Sequence, residues 1–378
     1  MGMLLPISTL TVTRFRSLRG LTAGPFGRVN LITGKNNTGK STLLEAIRVL
    51  VTDGAPGTLF SILNYREELT ASDREAPITP LDSPWFSSLF SDFPDLTGCG
   101  EPFTVSSAAG DSMPLKTVEI KVGWYSEQVD DETGNHRFIP VTGTDPPDEN
   151  EAVPFLEIKA PHRQRRIRLD SLRSMAGRRV VEGMGTEGLR MPCLYLDPFS
   201  GRSPSHLGVL WDAIALTSRE RQVVEALRII SPDIEAVSMI GSGNGNRFRT
   251  AIAKSRQFRA PVSLRTFGDG VNRLFGIILS LVNAAGGVLL VDEIENGLHH
   301  SILPDVWKII FQMADELNVQ IFATSHSWDC VDSFQQAANV HPQTGVLARL
   351  TSLNGKIIPT LFSENELRIA ARDQIEVR

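Results

Sequence analysis

Eight residues, Gly34-Lys35-Asn36-Asn37-Thr38-Gly39-Lys40-Ser41, constrain this chain more than any other stretch. They spell G-x-x-x-x-G-K-[ST]. A short apolar run, residues 29–33, precedes them, and a helical stripe of Leu43, Leu44, Ile47, Leu50 and Val51 follows. Strand, glycine loop and helix in that order form a phosphate cradle, the P-loop. The glycines let the backbone fold tightly, so that successive N–H groups point inward at a phosphate chain. The helix adds its positive N-terminus. Gly34, Asn36, Asn37, Thr38, Gly39, Lys40, Ser41 and Thr42 are therefore the expected contacts to a bound nucleotide. Lys40 would reach the β- and γ-phosphates, and Ser41 would ligate Mg²⁺.

Two further patterns belong with it. Val288-Leu289-Leu290-Val291-Asp292-Glu293 is a buried strand that ends by presenting two carboxylates. Beside a P-loop it reads as Walker B, with Asp292 as a magnesium ligand and Glu293 as the group that orients the attacking water. Ile321-Phe322-Ala323-Thr324-Ser325-His326-Ser327 is another buried strand with a histidine just past its end. His326 is expected to act as a switch residue touching the γ-phosphate. ATP and Mg²⁺ are the implied cofactors, and Lys40, Glu293 and His326 the implied catalytic residues.

The rest of the chain supplies the frame. Apolar strands alternate with helical patterns near both ends, which implies a mainly parallel sheet flanked by helices. Residues 271–285 are almost wholly apolar, a helix buried on all sides, and residues 363–373 carry a capping box from Ser363 to Glu366. Between the ends the pattern changes: Pro, Gly, Ser and Asp are frequent and strands dominate. The expected division is an N-terminal lobe over 1–60, an inserted β-rich and then helical arm over 61–260, and a C-terminal lobe over 261–378. Residues 127–151 hold eight acids, and an arginine-rich stretch follows at 162–179. The net charge is −5, which excludes a generally basic nucleic-acid coat. The three cysteines, Cys99, Cys193 and Cys330, are widely spaced, without a C-x-x-C, as in a reducing compartment. Without a signal-peptide pattern or an uncharged run of membrane-spanning length, the expected location is cytoplasmic, with no membrane partner.

The order P-loop, long insertion, glycine turn, Asp-Glu and Thr-Ser-His resembles the ABC-type ATPases. The nearest likeness is to the soluble branch that includes the SMC, RecF and OLD (overcoming lysogenization defect) proteins. VTRFRSLRGL before GKNNTGKSTLLEAI, and DEIENGLHHSILPDVWKII before IFATSHSWDCVDSF, carry the resemblance at the two ends. It implies an α/β P-loop NTPase fold, an ABC-type head. It also implies a homodimer or higher homo-oligomer in which each P-loop faces the other subunit's signature turn. That turn is Thr266-Phe267-Gly268-Asp269-Gly270, where Phe267 replaces the serine of L-S-G-G-Q. Gly268, Asp269 and Gly270 would then meet the partner's nucleotide through backbone N–H groups, with Asn272 or Arg273 as alternatives. The Q-loop glutamine is missing, since no Gln falls between the P-loop and Gln128. Asn64, Glu67 and Glu68 are the candidates to replace it. In the loop after Walker B, adjacent His299 and His300 allow a metal site or a contact across the dimer.

OLD proteins continue into a Toprim nuclease domain, but no D-x-D pair follows His326 here. The expected role is therefore the ATPase part of a system whose DNA-acting effector, a nuclease candidate, is a separate protein, in defence against foreign DNA. A RecF- or SMC-like DNA-repair ATPase and an ABC transporter subunit are the alternatives. Arg163, Arg165, Arg166 and Arg168 could contact a DNA backbone, or pair with the acidic loop as a solvated face.

Overall fold

The computed structural model describes residues 5–68, 84–93, 101–108, 116–129, 136–141, 152–169, 171, 191–198, 204–241, 249–341, 344–362 and 366. Its strands are β1 (Thr9–Phe15), β2 (Leu18–Ala23), β3 (Val29–Thr33), β4 (Phe103–Ala108), β5 (Lys116–Val129), β6 (His136–Pro140), β7 (Ala152–Ala160) and β8 (Arg163–Arg168). They continue with β9 (Cys193–Leu196), β10 (Ile234–Gly241), β11 (Arg249–Ser255), β12 (Val262–Ser263), β13 (Val288–Val291), β14 (Gln320–Thr324), β15 (Gly345–Leu353) and β16 (Lys356–Phe362). The helices are α1 (Lys40–Val51), α2 (Pro56–Tyr65), α3 (Pro84–Ser87), α4 (Pro204–Asp212), α5 (Ser218–Ile230), α6 (Asp269–Asn283), α7 (Leu303–Glu316) and α8 (Trp328–Ala338). The expected capping box near the C-terminus lies outside the described residues, Glu366 excepted.

The central sheet has the order β16-β15-β3-β14-β13-β9, with every pairing parallel except β15–β16. VNLIT, VLLV and QIFAT are buried at every position, because helices or a second sheet cover both faces. The two amide side chains in this layer are fully engaged. Asn30 accepts from the Gly27 N–H at 2.8 Å and donates to the Gly27 and Ile321 carbonyls, both at 2.9 Å. Gln320 accepts from the Ile7 N–H at 2.9 Å and donates to the carbonyls of Ile7 at 2.7 Å and Gly27 at 2.9 Å. These amides tie the segment entering β3 to its neighbour β14, and so fix the strand that leads into the P-loop.

A second sheet is antiparallel, in the order β2-β1-β4-β5-β7-β8, with β6 paired to β5. Helix α1 packs against strands of both sheets, and every residue from Thr42 to Val51 is buried. One apolar cluster joins Leu43, Leu44, Ile47 and Leu50 to Val12, Phe103 and Ile120 of the antiparallel sheet, and to Ile32, Leu290 and Phe322 of the parallel one. Each such side chain contributes about 1.5–3 kcal/mol on burial. On the opposite face of the parallel sheet, α6 is buried from Val271 to Val282, as its composition predicts. A second cluster holds it among α4, α5, α7 and the small sheet β10-β11-β12.

The expected three-part division needs correction. Residues of the presumed arm do not stand apart: β4 pairs with β1, so the antiparallel sheet draws on both sides of residue 60. Strand β9 is the edge of the parallel sheet, and β11 pairs with β12 across residue 260. The physical reason is that α1, buried on every side, needs a cover that β1 and β2 alone are too narrow to provide. The inserted strands complete it. Among the described residues no helix is long and apolar enough to cross a membrane.

Replacing Gln320 by Met strands the N–H and the carbonyl of Ile7 in a dry layer, while the Gly27 carbonyl keeps its bond from Asn30. It is expected to destabilise the fold by about 3 kcal/mol, read as a clear fall in the urea midpoint. An unchanged midpoint would mean that these groups find other partners.

Candidate functional site

The P-loop turns sharply at two glycines. Gly34 has φ 145° and Gly39 φ 85°, and Asn37 between them is also left-handed at 62°. A Cβ at Gly34 would lie 2.4 Å from the Leu350 carbonyl oxygen and 2.7 Å from Thr38 Oγ1, so no larger residue fits. Thr38 closes the loop by donating to the Lys35 carbonyl at 2.8 Å. Helix α1 then begins with no side-chain cap and no acid in its first turn, leaving its N–H groups and positive end open. Lys40 Nζ folds back onto the Gly34 and Lys35 carbonyls at 2.8 and 3.0 Å. Burial lowers the Lys40 pKa, and the nearby Asp292, Glu293 and Glu295 partly restore it.

Asp292 and Glu293 stand where β13 leaves the sheet. Asp292 is buried, with one carboxylate oxygen accepting from Thr324 and the other from Tyr195 Oη at 3.3 Å. Thr324 Oγ1 also accepts from the Glu293 N–H at 2.8 Å, so one hydroxyl at the end of β14 positions both acids. Glu293 has φ 46°, an uncommon backbone for this residue that aims its side chain away from the strand direction. Burial, reinforced by Asp292, raises the Tyr195 phenol well above its usual value, so it remains a hydrogen-bond donor.

These groups converge on one cavity of about 780 Å³, within the roughly 300–1,000 Å³ typical of small-molecule sites. Asn36, Asn37, Gly39, Lys40, Ser41, Thr42, Asp292 and Glu293 all line it. Gly34 and Thr38 shape the loop without lining the cavity. Ser41 and Asp292 are a donor set suited to Mg²⁺, which is held by one or two protein oxygens while phosphates and water complete the shell.

Sequence reasoning missed a charged wall of the same cavity. Arg16, from the β1–β2 turn, donates to both oxygens of Glu68 at 2.6 and 2.9 Å and lies 3.2 Å from Glu45. Arg66 donates to Glu45 at 2.7 Å and to Thr42 Oγ1 at 3.2 Å, and Ser88 donates to Glu68 at 2.7 Å. Glu45 is buried on α1 one turn past the P-loop. Burial raises its pKa against the pull of Arg66 and Arg16. Of the three candidates for the absent glutamine, only Glu68 lines the cavity. The available signal was the alternation of VTRFRSLRG, which puts Arg16 at a turn. Nothing in that pattern says that the turn folds over the P-loop helix.

Other expected residues fall elsewhere. His326 does not line the cavity: its N–H donates to Glu295 Oε1 at 3.0 Å, and its Nδ1 lies 3.4 Å from the same oxygen. Glu295 holds the ring at the sheet's end, about half exposed. Gly268, Asp269 and Gly270 also lie outside the cavity. Gly268, at φ 102°, links a 3-10 turn to α6, and a Cβ on Gly270 would sit 3.2 Å from Ile302 Cδ1, so the turn flanks the loop after Walker B. The alternatives Asn272 and Arg273 are corrected by burial. Asn272 is 5% exposed and Arg273 0%, with Arg273 donating to the Asp197 and Asp292 carbonyls at 3.1 and 3.4 Å. Arg273 braces the Walker B strand from inside its own subunit. His299 and His300 are exposed, their rings 4.1 Å apart. Among the described residues no group of three or more His, Cys, Asp or Glu could hold a metal ion.

The four arginines of β8 do not form one stripe. Strand pairing puts Arg165 opposite Ile158 and Arg166 opposite Glu157, so Arg163 and Arg165 share the core-side face while Arg166 and Arg168 share the other. Arg166 lies over the Tyr125 ring at 5.1 Å. Arg173, Arg178, Arg179 and most of the acidic loop lie outside the described residues.

Two family models each match part of the chain. A family model described as "AAA domain" matches residues 9–71. Another, "AAA domain, putative AbiEii toxin, Type IV TA system", matches residues 201–329. A protein of Helicobacter pylori named ATP/GTP phosphatase is 22% identical over 370 residues, spanning 87% of this chain and 88% of its own length. Among solved structures, the SMC head domain from Thermotoga maritima aligns with a TM-score of 0.46 at 12% identity, over 95% of this chain and 100% of that one. An Smc head domain bound to the C-terminal domain of ScpA, from Pyrococcus furiosus, gives 0.47 at 11% identity, over 98% and 99%.

Thr324→Val removes the hydroxyl shared by Asp292 and the Glu293 N–H. It is expected to lower the kcat of nucleotide hydrolysis by about 10²-fold, the scale of misplaced catalytic groups, with KM changed little. A wild-type kcat would show that this hydroxyl does not position the acids.

Proposed function

We propose that this P-loop ATPase, of the type shared by SMC, RecF and OLD proteins, binds MgATP in the cavity and closes on a second copy of itself. The observation that carries the reading is a division of parts. The phosphate cradle and both Walker B acids line one cavity, while the glycine turn at 268–270 lies outside it, with nothing to bind in its own subunit. A two-fold pairing that brings this turn over the partner's P-loop would use both.

The chemistry follows from the groups present. Lys40 exchanges its two loop carbonyls for β- and γ-phosphate oxygens, aided by the open N-terminus of α1. Ser41 and Asp292 would hold Mg²⁺, which supplies charge neutralisation at the phosphates. Glu293 orients and polarises the water for in-line attack, and its left-handed backbone and the Thr324 hydroxyl keep it in place. His326, held by Glu295, would reach the γ-phosphate only after a shift at the end of β14. ATP would therefore promote closure, and hydrolysis would reopen the dimer.

The output of this cycle is proposed to be regulation of a separate DNA-acting effector, such as a nuclease, in defence against foreign DNA. The output falls to a partner, since among the described residues no group of three or more His, Cys, Asp or Glu forms a second metal centre. The division of the β8 arginines between two faces argues against one phosphate-binding stripe, and so favours a protein partner over direct DNA contact.

Three outcomes follow. Lys40→Ala should fail to bind ATP, whereas Glu293→Gln should bind it without turnover; hydrolysis at the wild-type rate by Glu293→Gln would remove it as the water-orienting group. ATP should shift Glu293→Gln to a dimer in light scattering, and a monomer at micromolar concentration with saturating ATP would count against closure. Changing Arg163, Arg165, Arg166 and Arg168 together to Ala should leave duplex-DNA binding and its salt dependence unchanged. A large loss with a flatter salt slope would instead establish phosphate contacts through β8.

A further inference from the structure

Beyond the phosphate cradle, the two acids and the charged wall, Arg19, Asp92, Phe93 and Gly355 also line the cavity. Phe93 is the unusual one. It is 69% exposed, while its neighbours Phe86 and Phe90 are 0% and 3% exposed in the core. An apolar ring is thus left in water at the edge of an otherwise polar site.

Its backbone is equally uncommon. Asp92 and Phe93 have φ of 68° and 48°, two consecutive left-handed residues of which the second is a bulky aromatic. Such a conformation persists only where the surroundings impose it, and it is found disproportionately at ligand sites. Here the surroundings are explicit. The Ser91 N–H donates to the Arg14 carbonyl at 2.9 Å, and Ser91 Oγ donates to the Arg16 carbonyl at 2.7 Å. Asp92 pairs with Arg19. The segment is therefore fastened to the β1–β2 turn, whose Arg16 and Ser17 line the same cavity, as does Arg19 at the start of β2. Gly355 adds a bare stretch of backbone from the β15–β16 turn, where Asn354 and Gly355 have φ of 50° and 74° and open space surrounds the missing Cβ.

We propose that Phe93 is the base-stacking residue of this site and takes the purine ring of a nucleoside triphosphate against its face. Arg19 and Asp92 hold it in place, and Gly355 leaves room for a flat ring. This rests on the nucleotide-site reading above and adds the end of the ligand that the P-loop does not recognise. Stacking uses the π-face that every base has, so Phe93 adds affinity without selecting adenine over guanine.

The test compares ATP with inorganic tripolyphosphate, which has the phosphates and no base, in calorimetric titrations with Mg²⁺. Phe93→Ala should bind ATP about 10-fold more weakly, equivalent to about 1.4 kcal/mol, while its affinity for tripolyphosphate stays at the wild-type value. Phe93→Trp should restore ATP affinity. The proposal is overturned if Phe93→Ala binds ATP as tightly as wild type while Lys40→Ala does not bind. It is overturned equally if Phe93→Ala loses the same factor for ATP and tripolyphosphate, which would mark a general loosening of the loop. A Lys40→Ala protein that binds ATP normally would place the failure earlier, in the nucleotide-site reading itself.

Discussion

The structure depends on the burial of helix α1 on every side. A helix at a protein surface keeps one polar face, but α1 lies between a parallel and an antiparallel sheet and has none. Its apolar side chains fix its position from two directions, and its N-terminus must then emerge where both sheets end. The buried charges on α1 follow from the same constraint. Glu45 and Arg48 cannot reach water, so Glu45 takes Arg16 and Arg66, while Arg48 lies over the Tyr195 ring at 5.1 Å and donates to Ser61 at 2.9 Å. Breaking such a buried pair by removing one partner costs about 3–5 kcal/mol. The charged wall of the cavity and the packing of the P-loop helix are thus one arrangement.

The parallel sheet supplies the rest of the site for a related reason. Strands β3, β13 and β14 are neighbours and parallel, so their C-terminal ends lie on one edge. The loop after β3 holds the phosphate cradle, the end of β13 the two acids, and the end of β14 Thr324 and His326. Ligands bind at the carboxyl ends of such strands because loops there converge from separate parts of the chain. Arg273 extends the arrangement from α6 into the carbonyls of Asp197 and Asp292. The helix that begins with the 268–270 turn is thereby mechanically continuous with the Walker B strand. Displacement of that turn by a partner would be felt at Asp292.

What the sequence made legible was local and periodic. The glycine loop, the apolar strands and the buried α6 each follow from residues within one short window, and these place Lys40, Ser41, Asp292 and Glu293. The antiparallel sheet was not legible as a unit. Its strands β1 and β4 are separated in sequence by β2, β3 and three helices, and alternation shows that a strand has a buried face without naming its partner. Arg16 and Phe93 were hidden for that reason: Arg16 sits on the β1–β2 turn and Phe93 follows a segment bonded to it, so the neighbours of both are set by that sheet. His326 shows the converse case. Its position past β14 is as expected, but Glu295, only two residues after Glu293, competes for the ring.

The central claim is that one ATP site takes its cradle from one copy and its covering turn from another. Mixing two inactive proteins tests it most directly: Lys40→Ala, which lacks the cradle, and Asp269→Trp, which blocks the exposed turn without touching the cavity. In a mixed dimer one site pairs an intact cradle with an intact turn. Each variant alone should therefore be inactive, and the mixture should regain ATP hydrolysis. Wild-type turnover by Asp269→Trp alone, or a mixture that stays inactive, would contradict the shared site.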